Sequence, residues 1–137
     1  NDGNAATVVS SAFTIDTVPP TLTISSPTAG FITNKAALNV TGKTNDATSS
    51  PITLTMTLNG TSLGTVTVGS DGSFTKAVTL AEGTNSIVVT AKDGAGQTTS
   101  ITLSVKLDTT VPELKGITLS PNPVSTSASV AITVEVS

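Results

Sequence analysis

From Ile52 to Leu58, aliphatic residues and threonine alternate without a break: Ile52, Leu54, Met56 and Leu58 against Thr53, Thr55 and Thr57. A period of two places one set on each face of an extended chain, so this stretch predicts a strand with one buried and one wet face. The period recurs in Leu22 and Ile24, in Leu38 and Val40, and in Val66 and Val68. It returns in Phe74, Val78 and Leu80, in Ile87, Val89 and Ala91, and from Ile101 to Leu107. Turn signals separate these runs: Pro27 with Gly30, Asn59-Gly60, Asp71-Gly72, Glu82-Gly83 and the run Asp93–Gln97. Asp71-Gly72 is expected to make a type I′ hairpin turn. Lys76 interrupts its apolar run, which predicts an edge strand or a bulge.

About seven short strands with turns every 8–12 residues or so predict an all-β, immunoglobulin-like antiparallel β-sandwich. Composition agrees. The apolar residues are almost all Val, Ile, Leu and Ala, with three Phe and no Tyr or Trp, while Thr and Ser fill the alternate positions. No stretch spaces its apolar residues at helical intervals.

The chain also repeats itself. Residues 15–25 read IDTVPPTLTIS and residues 107–120 read LDTTVPELKGITLS, with Asp108 lying 92 residues beyond Asp16. That spacing is close to the roughly 100 residues of one sandwich. The expected organisation is a tandem repeat with partial flanking domains. Residues 1–18 would carry the last strand of a preceding domain plus a linker, 19–108 a complete sandwich, and 109–137 the first strands of a following one. Pro19-Pro20 stiffens the first junction. Two strands cannot form a core alone, so neighbouring residues or another chain are expected to complete each end.

These residues resemble the bacterial Ig-like repeats of large secreted adhesins and cell-surface proteins. The likeness rests on the D-T-x-x-P linkers, DGSF at 71–74, LAEGTNSIVVTAKD at 80–93 and the D-G-A-G-Q turn at 93–97, where Gln97 stands in place of the usual Asn. The resemblance implies secretion to the cell surface, contact with neighbouring repeats or copies of the same chain, and a non-catalytic role.

The missing chemistry points the same way. The chain has no His and no Cys, which removes disulfides, zinc clusters, thiol nucleophiles and the commonest general base. Its carboxylates sit mainly in turns and linkers, so no tuned acid pair is expected, and Ser and Thr have no evident activating base. A net charge of −3 with no Arg leaves no basic face for nucleic acid. No apolar run reaches membrane-spanning length. No signal peptide opens the chain, and any export signal is expected outside it. The expectation is that the chain is not an enzyme and requires no cofactor.

One constellation has the chemistry of a site. Threading the strands up and down brings the linker before the first strand, the loop after the second, the 69–73 turn and the 93–97 turn to one end. Asp16, Asp46, Asp71 and Asp93 gather there, with Asn45 nearby. Clustered carboxylates and loop carbonyls are the ligands of Ca²⁺, which takes six to eight oxygens. The family resemblance implies calcium at such junctions, and Asp16, Asp46 and Asp93 match those positions. The alternative is that each Asp caps its own turn. Asn39-Val40-Thr41 and Asn59-Gly60-Thr61 fit the glycosylation pattern, which is frequent by chance in a Thr-rich chain. A Lys–Asn isopeptide crosslink would suit a loaded stalk, although no pair is singled out.

The function expected from all this is an extracellular spacer or stalk segment of a multi-domain adhesive protein. The alternatives are a subunit of an extracellular filament or surface lattice built by strand exchange, and an accessory domain of a secreted glycoside hydrolase.

Overall fold

The computed structural model describes residue 3, residues 15–46 and residues 51–116. The strands expected within 4–14 and within 117–137 lie outside these residues. Eight strands fill the described region: β1 (Thr21–Ser26), β2 (Phe31–Thr33), β3 (Ala37–Asn45), β4 (Thr53–Leu58), β5 (Thr61–Val66), β6 (Ser73–Thr79), β7 (Gly83–Lys92) and β8 (Thr98–Leu107). They form a three-stranded sheet ordered β1-β3-β6 and a five-stranded sheet ordered β2-β8-β7-β4-β5. The expected all-β sandwich is what the chain forms.

Alternation decides what lies between the sheets. Along β7, Asn85, Ile87, Val89 and Ala91 are buried, while Ser86 and Lys92 on the opposite face are exposed. On β8, Leu103, Val105 and Leu107 point inward and Thr102, Ser104 and Lys106 outward. Leu54 and Met56 of β4 complete that layer. Leu22, Val40, Phe74 and Val78 face them from the smaller sheet. Each fully buried aliphatic side chain contributes about 1.5–3 kcal/mol, which offsets the entropy of ordering the strands.

Three expectations change. The segment after Pro27 and Gly30 is not only a loop, because Phe31–Thr33 forms β2 and pairs parallel with β8, Phe31 opposite Val105. Three residues are too short for alternation to show, and their partner is distant in the chain. Val68 does not extend β5, which ends at Val66, and makes only an isolated bridge to Phe74.

The third change is at Asp71-Gly72, which is no type I′ hairpin. It lies on the connection from β5 in the larger sheet to β6 in the smaller one. Gly72 N donates to Gly69 O at 2.9 Å and Gly69 N to Ser73 O at 2.8 Å. Gly72 takes a φ of 79°, and Asp71 is not among the positive-φ residues, whereas a type I′ turn needs both. Asn59-Gly60 does meet that requirement, with φ values of 51° and 81°, and joins β4 to β5. Lys76 lies on β6, an edge strand, opposite Val40.

Candidate metal centre

Register carries the acidic residues to one end of the sandwich. Thr21 at the start of β1 pairs with Asn45 at the end of β3. Lys92 at the end of β7 faces both Thr53 at the start of β4 and Thr98 at the start of β8. The linker before β1, the segment after β3 and the β7–β8 turn therefore meet. One carboxylate oxygen from each of Asp16, Asp46 and Asp93 lies within 4.8 Å of the others.

Each acid is placed by a different local device. Asp93 is only 4% exposed, and its Oδ1 accepts the Gln97 amide at 2.8 Å. Its backbone N donates to Gln97 O at 3.0 Å, which closes the turn. Asp16 is half-buried, and its Oδ1 accepts the Val18 amide at 3.0 Å in an Asx-turn. Asp46, also half-buried, follows β3 directly, where Thr44 is tied down by its Oγ1 donating to Thr21 O at 2.8 Å.

Asp71 does not join the group. Its Oδ1 accepts both the Ser73 hydroxyl at 2.6 Å and the Ser73 amide at 3.1 Å. Those bonds, the hydroxyl first, hold its carboxyl below the usual carboxylate range. Asn45 is exposed, and its carbonyl accepts the Thr21 hydroxyl.

The donor set fits a hard cation. Asp93 Oδ2 is buried without a hydrogen-bond partner, an arrangement costly for a charged oxygen unless something else meets it. Ca²⁺ bonds oxygen at about 2.3–2.6 Å, so two ligands on opposite sides of one ion stand about 4.6–5.2 Å apart. The three carboxylates are no more widely spread than that. Further oxygens would have to come from backbone carbonyls and water.

The sequence does not mark Gln97 as a site residue, because there it reads only as a departure from Asn. Its Nε2 donates to Asp16 O at 2.9 Å, across 81 residues of chain. No local pattern signals such a bond. Nor does the sequence mark Asn85. It is completely buried, with Nδ2 donating to Ala81 O and Gly83 O and Oδ1 accepting the Ala81 amide and Asn59 Nδ2.

The remaining surface readings separate. Asn39 is exposed on β3, but the Asn59 amide group is engaged by Asn85 and by the Ser86 amide. The buried polar residues among those described are Thr44, Asn85 and Asp93, so the isopeptide reading finds no buried amine. Phe74 is core, Phe31 is 39% exposed on β2, and Phe13 lies outside the described residues. An open cleft of about 300 Å³ beside Asp46, between Thr44, Pro51, Ile52 and Val68, has no aromatic side chain among its described lining residues on which a sugar could stack.

This geometry defines an immunoglobulin-like β-sandwich module, and comparisons with known proteins agree. The chain belongs to the family described as glucodextranase, domain B, whose profile matches residues 20–109. That family is described by a glycoside hydrolase domain and not by an adhesin repeat. Among solved structures the chain is similar to the fibronectin(III)-like modules of CbhA from Clostridium thermocellum, at 18% identity and a TM-score of 0.53, over 66% of this chain and 47% of that one. It is also similar to the endo-β-1,4-mannanase from Thermotoga petrophila, at 13% identity and a TM-score of 0.56, over 68% of this chain and 20% of that one. These likenesses are of fold alone. The chain spans about half of the first protein and a fifth of the second. No curated protein matches it.

Proposed function

We propose that this chain is a non-catalytic accessory module of a secreted, carbohydrate-active protein, a rigid spacer with calcium held at the end where its N-terminal linker joins. Membership of the glucodextranase domain B family over residues 20–109 carries the reading. It favours the accessory domain over the adhesive stalk that the repeat pattern first suggests. The sandwich holds its two linkers apart with a packed aliphatic core. Asp16, Asp46 and Asp93 would hold the ion, whose contribution is charge neutralisation and cross-linking of linker to turn.

A stalk remains the second reading, favoured by a specific likeness between the linkers. Val18 N donates to Asp16 Oδ1 at 3.0 Å before the sandwich, and Thr110 N donates to Asp108 Oδ1 at 3.2 Å after it. The same Asx-turn at the same motif suits a module repeated in series.

Three observations test these readings. The coding sequence on either side should contain a glycoside hydrolase catalytic domain, and serial repeats with a surface anchor would decide for the stalk. Thermal melts in calcium and in EGTA should differ by several degrees, since a ligand at a hundred times its Kd adds about 2.7 kcal/mol. Equal midpoints would remove the cation from the proposal. Turnover of a polysaccharide by the purified chain would overturn the non-catalytic reading.

A further inference from the structure

We propose that Gln97 docks the N-terminal linker onto the sandwich and so couples cation binding to linker attachment, an inference that rests on the cation reading above. Gln97 is bonded to two of the three acidic residues at once. Its backbone amide donates to Asp93 Oδ1 at 2.8 Å, and its side-chain amide donates to the Asp16 carbonyl at 2.9 Å. Its carbonyl accepts the Asp93 amide at 3.0 Å. The buried wall of the site and the linker crossing it are therefore joined through one residue.

A second tether acts further along the linker. Thr99 Oγ1 donates to Pro20 O at 2.6 Å, and Pro20 is buried. Between the tethers, Thr17, Val18 and Pro19 are exposed. Asp16 reaches the other two carboxylates only with the linker seated. Seating brings a third negative charge toward two others, which opposes docking until a cation neutralises them. Docking and cation binding then help each other by the same factor, as linkage requires.

Chemistry at position 97 is specific in this arrangement. The contact needs a donor, because the Asp16 carbonyl only accepts. Glu would offer no donor at neutral pH and would add a fourth negative charge. Asn is one methylene shorter, which would draw its amide back from the Asp16 carbonyl that Gln97 Nε2 meets at 2.9 Å. Gln97 is thus the residue that brings Asp16 into the site.

The test uses the whole chain and three variants, Gln97→Ala, Gln97→Asn and Thr99→Val, with Ca²⁺ affinity measured by calorimetry. Hydrogen exchange of the 15–18 amides is followed with and without Ca²⁺. In the unaltered chain, Ca²⁺ should slow exchange in the linker. Each Gln97 variant should bind Ca²⁺ about 5- to 10-fold more weakly, as the loss of one hydrogen bond implies. Thr99→Val should also weaken binding although Thr99 is no member of the carboxylate group, and it exchanges a hydroxyl for a methyl of the same shape on a strand that suits Val. Unchanged affinity in Thr99→Val and the Gln97 variants would overturn the coupling and leave the cation site standing. Failure of the unaltered chain to bind Ca²⁺ would overturn both.

Discussion

Asn59 Nδ2 donates to Asn85 Oδ1 at 2.9 Å, and this bond ties the β4–β5 turn to the buried start of β7. Asn85 spends the rest of its amide on Ala81 and Gly83, so every polar atom of a completely buried side chain is satisfied. Replacing it strands several partners at once. Asn85→Ala should lower the urea unfolding free energy by about 2–4 kcal/mol with an unchanged m-value. A loss under half a kcal/mol would mean the network is dispensable.

Gly42 makes room for the Phe74 ring. A Cβ at this position would stand 2.6 Å from Phe74 Cζ and closer still to the Thr23 carbonyl. Gly42→Ala should destabilise the sandwich by about 3 kcal/mol or more through overpacking. Adding Phe74→Leu should recover part of that loss, a non-additivity that a double-mutant cycle would read directly.

Lys76 occupies the core-facing side of β6, opposite Val40, on an edge that among the described residues carries only the isolated bridge from Phe74 to Val68. A charge there discourages another strand from adding. Lys76→Val should leave the monomer as stable or more so and produce concentration-dependent association in light scattering, while Lys76→Glu stays monomeric. A monomeric Lys76→Val at all concentrations would show that the edge is protected otherwise.

Asp93→Asn should have two opposite signatures. The amide keeps the bond from Gln97 and removes one of three crowded negative charges, so the melting midpoint in EGTA should rise by a few degrees. The rise produced by calcium in the unaltered chain should disappear. A retained calcium response would take Asp93 out of the site.

The Thr110 hydroxyl, and then the Lys106 ammonium at 3.0 Å, bring the Asp108 carboxyl from 3.8 down to about 2. A depressed folded value means the stabilising contacts are complete above pH 3.8 and are lost as pH falls through about 2. An NMR titration should place the Asp108 midpoint near 2, and Thr110→Val should move it up. The group is at the surface, so salt should weaken the Lys106 part. A midpoint at 3.8 in the unaltered chain would contradict these bonds.

By itself, the sequence determined seven of the eight described strands, their faces and the fold class, because a period of two is a local property that sterics and burial enforce wherever it runs. Ile87, Val89 and Ala91 announce their inward face without knowledge of what they face. Up-and-down threading was also enough to bring Asp16, Asp46 and Asp93 to one end. Only the tertiary structure decided the rest. It made β2 a parallel partner of β8, turned Asp71-Gly72 into a crossing between sheets, and kept Asp71 out of the acidic group. It also made Gln97 the link to Asp16, 81 residues away. Contacts of that kind are set by register and by how two sheets stack, and neither leaves a trace in the local order of residues.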